Sequence, residues 1–258
     1  MVPVVRDPTR WAATGLPPPP RIADLENGAA LRMALADAER IVSCAHARHA
    51  ARVLAAAPQG ATLVMLGSTR KFTRWPDEHG DGVLRGEAAF LASGRAGVML
   101  HPTMIYGAQG ENNVQRLAAL LRRVPFVPLP EGGRALVQPI HQDDVTAAIR
   151  AALALPWNGP DSLVIAGASP VPYARFVALV AEAAGLSSPR VVAVPAGILL
   201  PLAALSRFVP GLPTVEPAEI RRLLEDKAFD ITPMREVLGI TPVGLAEGLA
   251  RTFRRPQE

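Results

Sequence analysis

Short apolar runs separated by polar, glycine- and proline-bearing stretches recur along the chain, at 2–5, 41–45, 61–66, 98–100, 135–140, 163–165 and 191–194. Runs of this length bounded by loop signals predict strands buried on both faces of a parallel sheet, where neither face calls for a polar residue. Between them, apolar positions fall at helical spacing. Residues 26–38 place Leu31 and Leu35 on one face, and 49–57, 82–93 and the NNVQRLAALLRR stretch read as further helices. The 172–184 helix turns Phe176, Leu179, Val180 and Ala183 inward and stops at Gly185. Asp143 or Asp144 opens a helix over 145–155, where a carboxylate can accept from unpaired backbone amides. Residues 195–208, 217–226 and 244–253 predict C-terminal helices. Residues 11–21, with consecutive prolines at 17–20, predict a loop, and 125–133 a loop and turn.

Strands alternating with helices imply an α/β fold with a doubly wound parallel sheet, and such sheets gather functional groups at the carboxyl ends of their strands. The loop 101–107, after the 98–100 run, is therefore the first place to look for a ligand site. At 258 residues with 49% apolar content, the chain can form one large α/β domain or a domain with a small appendage.

Charge and cysteine content narrow the classes. The net charge is +4 and comes almost entirely from arginines spread along the chain, Lys71 and Lys227 being the two lysines. No basic stripe or aromatic–basic interleaving appears, which argues against a nucleic-acid role. The single Cys44 excludes an internal disulfide framework and fits a reducing cytoplasm. Residues 1–10 are not a basic region followed by an apolar core, so no secretory leader is expected. The most apolar run, 191–205, contains Pro195 and Pro201 and falls short of the ~20 residues of a membrane span. It reads as a buried helix or pocket wall, with membrane-surface contact as the alternative. Cys44, His46 and His49 form a Cys-x-His-x-x-His pattern, but no second ligand pair lies nearby and no metal is expected.

Three segments, HPTMIYG at 101–107, NNVQRLAALL at 112–121 and QPIHQDDV at 138–145, resemble the extended short-chain dehydrogenase/reductase superfamily. The similarity is greatest to its atypical branch, which includes NAD-dependent epimerase/dehydratase relatives acting on sugar nucleotides and an accessory subunit of respiratory complex I. That pattern runs Arg-Pro-x-x-x-Tyr-Gly, then Val-His-x-x-Asp-Val, then a small C-terminal region, and it can be laid over residues 2–253. The resemblance implies an NAD(P)-binding Rossmann-like domain over 1–155. It implies a C-terminal part over 156–258 with late strands and a small helical substrate lobe.

Site residues follow from the same resemblance. Arg6 and Asp7 come after the second strand of the fold, where the adenosine ribose binds, and an Arg there suits the 2′-phosphate of NADP over NAD. The plain alternative is a solvated loop arginine. Asp24 and Leu25 stand where the adenine ring is met, and Ser43, Cys44 and Ala45 line the cofactor's ribose side. Ser68 and Thr69 end the strand whose hydroxyls hydrogen-bond the substrate oxygen. Pro102, Thr103 and Met104 are expected under the nicotinamide. His101 replaces the family's Arg, and it joins Tyr106, Asn113 and His141 as substrate-side residues.

Two family features are missing. No G-x-G-x-x-G turn following a strand occurs, so the first strand–helix unit is lacking. The expectation is either a start assigned too late or a true loss that leaves a central strand position empty. The Tyr-x-x-x-Lys pair is also absent, since Tyr106 is followed four residues on by Gly110 and Tyr173 by Val177. His79 and Val83, or Asp81 and Arg85, fall near those positions. His79 can be read as a proton carrier or as an ordinary loop histidine, and Arg85 as a holder of a ribose hydroxyl. Two functions remain open. One is an NAD(P)-dependent oxidoreductase or epimerase acting on a sugar nucleotide or another small carbonyl compound. The other is a non-catalytic member that binds NADP or serves as an assembly or regulatory partner, with a protein partner or a second copy.

Overall fold

A computed structural model describes residues 1–107, 114–124, 126–206 and 217–254. In chain order the strands are β1 (Val4–Val5), β2 (Arg21–Ile22), β3 (Arg40–Ser43), β4 (Thr62–Leu66), β5 (Gly97–Pro102) and β6 (Ile105–Tyr106). They continue with β7 (Phe126–Pro130), β8 (Leu136–Val137), β9 (Ile140–His141), β10 (Pro160–Ile165), β11 (Val171–Pro172) and β12 (Arg190–Val194). The helices are α1 (Pro8–Ala12), α2 (Gly28–Leu35), α3 (Ala50–Ala56), α4 (Glu78–Ala92), α5 (Val114–Leu121) and α6 (Gln142–Ala154). After them come α7 (Tyr173–Ala183), α8 (Ala196–Ser206), α9 (Pro217–Arg222), α10 (Thr232–Leu238) and α11 (Leu245–Phe253). The chain forms two compact units.

The first unit holds Met1–Lys71, Asp77–His101 and Ile149–Leu163. Its sheet has the order β10-β5-β4-β3, with β3, β4 and β5 parallel. Leu63, Val64, Val98, Met99 and Leu100 are completely buried, as expected of strands covered on both faces. Leu63 and Met99 pack in one cluster with Leu31, Leu35, Val53, Val83 and Phe90 from the flanking helices, each worth about 2 kcal/mol of apolar burial. β1 and β2 form a separate parallel pair, with Val4 opposite Arg21 and Val5 opposite Ile22. Val4 packs against the same core as Ile41. Among the described residues no strand joins this pair to β3, so β3 keeps one open edge.

Helix α4 shows how this unit closes. It begins at Glu78 rather than near 82, because Asp77 accepts from the Gly80 amide at 2.8 Å and caps the first turn. Its glycines would ordinarily weaken a helix. Here Gly86 admits the Ala47 carbonyl so closely that a Cβ would sit 2.0 Å from that oxygen.

The second unit holds Phe72–Pro76, Pro102–Ala148 and Val164–Glu258. Its strands pair two by two: β6 with β9 and β7 with β12 in parallel, β8 with β11 antiparallel. Val114, Ala118, Phe176, Val177, Val180 and Leu249 from α5, α7 and α11 build its core.

Several local expectations are corrected. The 135–140 run is two short strands, since Pro139 has no amide proton to continue a ladder and the two halves take different partners. Residues 126–130 form strand β7 rather than a loop, their carbonyls and remaining amides pairing with β12. The 11–21 loop is entered through helix α1, which Asp7 caps by accepting from Thr9 and Arg10 amides. Helix α6 starts at Gln142, and neither Asp143 nor Asp144 caps it. The His141 ring accepts from the Asp143 amide at 3.3 Å, while Asp144 accepts from the Val243 amide at 3.1 Å. His79, read as an alternative loop residue, lies in the first turn of α4. The helix expected over 217–226 ends at Arg222, where Leu223 and Leu224 close tight turns.

Gly86→Ala is expected to destabilise the chain by about 3 kcal/mol, because the backbone oxygen it strikes cannot turn aside. Gly60→Ala, with nothing within 4 Å of the new methyl, should be near neutral. Urea denaturation of the two variants measures the difference.

Candidate functional site

The parallel strands of the first unit bring their carboxyl ends to one edge, and the polar residues of the chain's strand ends collect there. Ser43 ends β3, with Cys44 exposed just beyond it. Gly67 and Ser68 follow β4, and His101 is the penultimate residue of β5. His101 is completely buried. Its Nδ1 accepts from the Ser68 amide at 3.2 Å, so the neutral ring carries its proton on Nε2. Gly67 makes this approach possible, because a Cβ there would lie 2.3 Å from Nδ1. The Ser68 hydroxyl accepts from the Arg70 amide at 3.1 Å and keeps its own proton to donate.

Beneath this point sits a polar network that the sequence reading did not single out. Lys71 Nζ and Ser162 Oγ both donate to Oε1 of Glu87. His101 Nε2 lies 3.1 Å from the same oxygen but off the line of a proper hydrogen bond, and finds no other partner. The Lys71 and Glu87 side chains are 10% and 12% exposed. Burial by itself raises the Glu87 carboxyl, but the hydrogen bonds from Lys71 and Ser162 outweigh it and hold the group below its ordinary range. Burial, helped by the Lys71 charge and opposed by Glu87, pushes His101 down to about 4. The result is a neutral imidazole beside a paired ammonium and carboxylate. Lys71, one of two lysines, was the one available signal. Glu87 reads in sequence as an ordinary helix residue.

The other first-unit positions make contacts of their own. Arg6 is exposed after β1. Asp7 is committed to capping α1, and Asp24 accepts from the Glu26 amide at 2.9 Å. Leu25 lines an open cleft of about 390 Å³ with Glu26, Gly28, Arg32, Arg52 and Ala56, Glu26 and Arg52 forming an ion pair. His79 meets His46 edge-on at 4.3 Å between ring centroids, and Arg85 is exposed on α4. Burial lowers His46, and the neighbouring His79 and Arg48 charges lower it further. Thr69 opens the single turn Thr69–Phe72 and is partly buried, as is Ala45. Among the described residues no group of three or more His, Cys, Asp or Glu side chains is placed to hold a metal ion.

The remaining positions belong to the second unit. Pro102 and Thr103 are buried, and Thr103 donates its hydroxyl to the Gln138 carbonyl at 2.6 Å. Met104 packs on the core. Tyr106 is 1% exposed, stacks edge-on against His141 at 5.3 Å, and presses its hydroxyl against Gly248 of α11. Burial, followed by the Asp144 charge, raises its phenol. His141 is itself buried and holds the start of α6. Asn113 lies outside the described residues.

This edge of parallel strands with a serine and a neutral histidine belongs to a Rossmann-like α/β fold, and comparison with solved structures bears that out. The NADPH-dependent quinone oxidoreductase QOR2 from Escherichia coli, complexed with NADPH, matches over 98% of this chain and 90% of its own, with a TM-score of 0.74 and 20% identity. Citrobacter sp. triphenylmethane reductase complexed with NADP(H) matches over 96% and 89%, with a TM-score of 0.72 and 12% identity. UDP-glucuronic acid 4-epimerase from Bacillus cereus matches over 95% and 84%, with a TM-score of 0.67 and 14% identity. These likenesses show a Rossmann-like α/β fold, as the sequence led one to expect. Among curated proteins, 3beta-hydroxysteroid-dehydrogenase/decarboxylase isoform 1 of Arabidopsis thaliana is 26% identical over 69% of this chain, which spans about half that relative's length (46%). No protein-family model matches.

Two outcomes follow from the network. His101 binds its proton in the unfolded chain near pH 6.5 but in the folded one only near pH 4. Stability should therefore fall as pH drops from about 6.5 towards 4. His46 shifts in the same direction, so the drop should be smaller, not absent, in His101→Gln, as read by urea midpoints at several pH values. Glu87→Gln leaves the Lys71 ammonium buried with its carboxylate removed and should cost about 3 kcal/mol. The Glu87→Gln/Lys71→Met double variant should recover much of that loss in the same assay.

Proposed function

We propose that the protein binds NADP(H) along the carboxyl edge of its first unit and is an oxidoreductase or epimerase acting on a sugar nucleotide or another small carbonyl compound. The observation that carries this reading is Ser68 at the end of β4, its amide fixed by His101 and its hydroxyl proton left to donate. A hydroxyl so placed can hydrogen-bond the oxygen of a carbonyl substrate. The comparisons support the same class, since QOR2 is a quinone oxidoreductase that was solved with NADPH. They span several chemistries, and fold alone does not choose among them.

Two positions support such a cofactor site. Arg6, exposed after β1, suits a 2′-phosphate, and Ser43 to Ala45 after β3 offer small side chains beside a ribose. The sequence contains no glycine-rich turn to cradle the pyrophosphate. When bound, the nicotinamide would supply the hydride chemistry. The chain's own part is to orient the carbonyl and to manage one proton. Ser68 donates its hydrogen bond, His101 holds the Ser68 amide, and Lys71 and Glu87 support His101 from below.

A second reading, a non-catalytic binding or assembly protein, draws on the two tyrosines. Tyr106 is buried against His141 and Gly248, Tyr173 packs against Phe176, and neither is followed by a lysine at the fourth position. Calorimetric titration with NADPH and NADH, with thermal shift alongside, tests both readings. The enzyme reading expects micromolar NADPH binding that is tighter than NADH binding. In Arg6→Ala that preference should shrink by about tenfold, the worth of one exposed phosphate contact. A folded protein that binds neither nucleotide would overturn the cofactor site and leave the partner reading in the lead.

A further inference from the structure

Three exposed apolar side chains in the second unit lie on adjoining elements. Phe126 on β7 is 51% exposed, Val192 on β12 is 38% exposed, and Ile198 on α8 is 53% exposed. The parallel register sets Phe126 beside Arg190 and Pro128 beside Val192, so these four share one face of the two-stranded sheet. Alternate residues Val127 and Leu129 point the other way and are buried. From 191 to 206 the sequence contains no charged residue, and α8 is apolar all round rather than along one stripe. A helix of that kind is ordinarily buried in a core or placed in lipid, yet Ile198 is half exposed.

The rim of this face is basic. Arg122 and Arg123 are exposed just ahead of Phe126, and Arg190 is exposed beside it. Arg221 and Arg222 stand in the last turn of α9, which packs on α8 and also carries Glu219. The acidic residue at the far end of β7, Glu131, is paired with Arg134. Neither 114–124 nor 186–201 contains an Asp or Glu.

We propose that this face docks the protein on an anionic lipid surface, with Phe126, Val192 and Ile198 inserted among the acyl chains and the arginines against the headgroups. The arginines decide the occupant. A symmetric contact with a second copy would set this basic rim against its own equivalent, a like-charge arrangement that disfavours pairing. Anionic headgroups instead attract each arginine by roughly fivefold in affinity. α8 is 11 residues long and interrupted by Pro201, about half the length of a span, so it would lie in the interface and not across it. No helix among the described residues is long and apolar enough to cross a membrane.

Co-sedimentation of the full chain with vesicles tests this. Phosphatidylcholine vesicles containing phosphatidylglycerol should pellet the protein at low salt, and pure phosphatidylcholine vesicles should not. Phe126→Glu and Ile198→Glu should each weaken binding at least tenfold, the carboxylate being costly among acyl chains. The triple variant Arg122→Gln, Arg123→Gln, Arg190→Gln should weaken it on the order of a hundredfold and remove most of its salt dependence. Thermal melts confirm that each variant is folded, and the triple variant changes only exposed charges. The proposal is overturned if the wild-type chain ignores anionic vesicles, or if folded variants bind as the wild type does. It is also overturned if light scattering shows a dimer that Phe126→Glu splits, which would assign the face to a second copy.

Discussion

One carboxylate oxygen organises the chemistry of the first unit. Glu87 Oε1 receives Lys71, faces Ser162 and stands 3.1 Å from His101, so three sequence-distant segments meet at one atom. Burying an ammonium or a carboxylate singly would be prohibitive, and burying them together is tolerable only with further hydrogen bonds in place. The network therefore fixes the turn after β4, the end of β5 and the start of β10 with respect to α4. Ser68 inherits its position from that arrangement.

Close packing makes the network possible. Gly86 lets the Ala47 carbonyl sit against α4, and Gly67 lets the His101 ring slide beneath the β4 turn. Both are places where one methyl group would push elements apart by more than an ångström. The glycines that weaken α4 as an isolated helix are what bring its Glu87 within reach of Lys71. Local propensity is spent there for tertiary geometry.

The two units use their histidines and tyrosines differently. His101 serves a polar edge, whereas His141 and Tyr106 brace each other within the second unit's core, with Gly248 leaving room for the phenol. A motif such as HPTMIYG thus contributes a strand end with its first residue and a core anchor with its tyrosine. The same seven-residue stretch spans two packing environments, which is why a motif alone does not tell which of its side chains meet a ligand.

The sequence by itself determined the alternation of buried strands and amphipathic helices, since periods of 2 and 3.6 are local properties of the chain. Leu63, Val98 and Phe176 were legible as core for that reason. So were the strand-end positions of Ser68 and His101, because apolar runs end where polar residues begin. Tertiary structure alone decided which residues meet. Glu87, Lys71 and Ser162 lie up to 91 positions apart (162 − 71), and no periodicity couples them. It also decided that Asp144 reaches Val243 instead of capping α6, and that Tyr106 is buried. The division of β8 from β9, and the separation of the β1–β2 pair from β3, likewise came from strand pairing. Hydrogen-bond partners across space are not written in local pattern, and apolar burial shows only that a segment is covered, not what covers it.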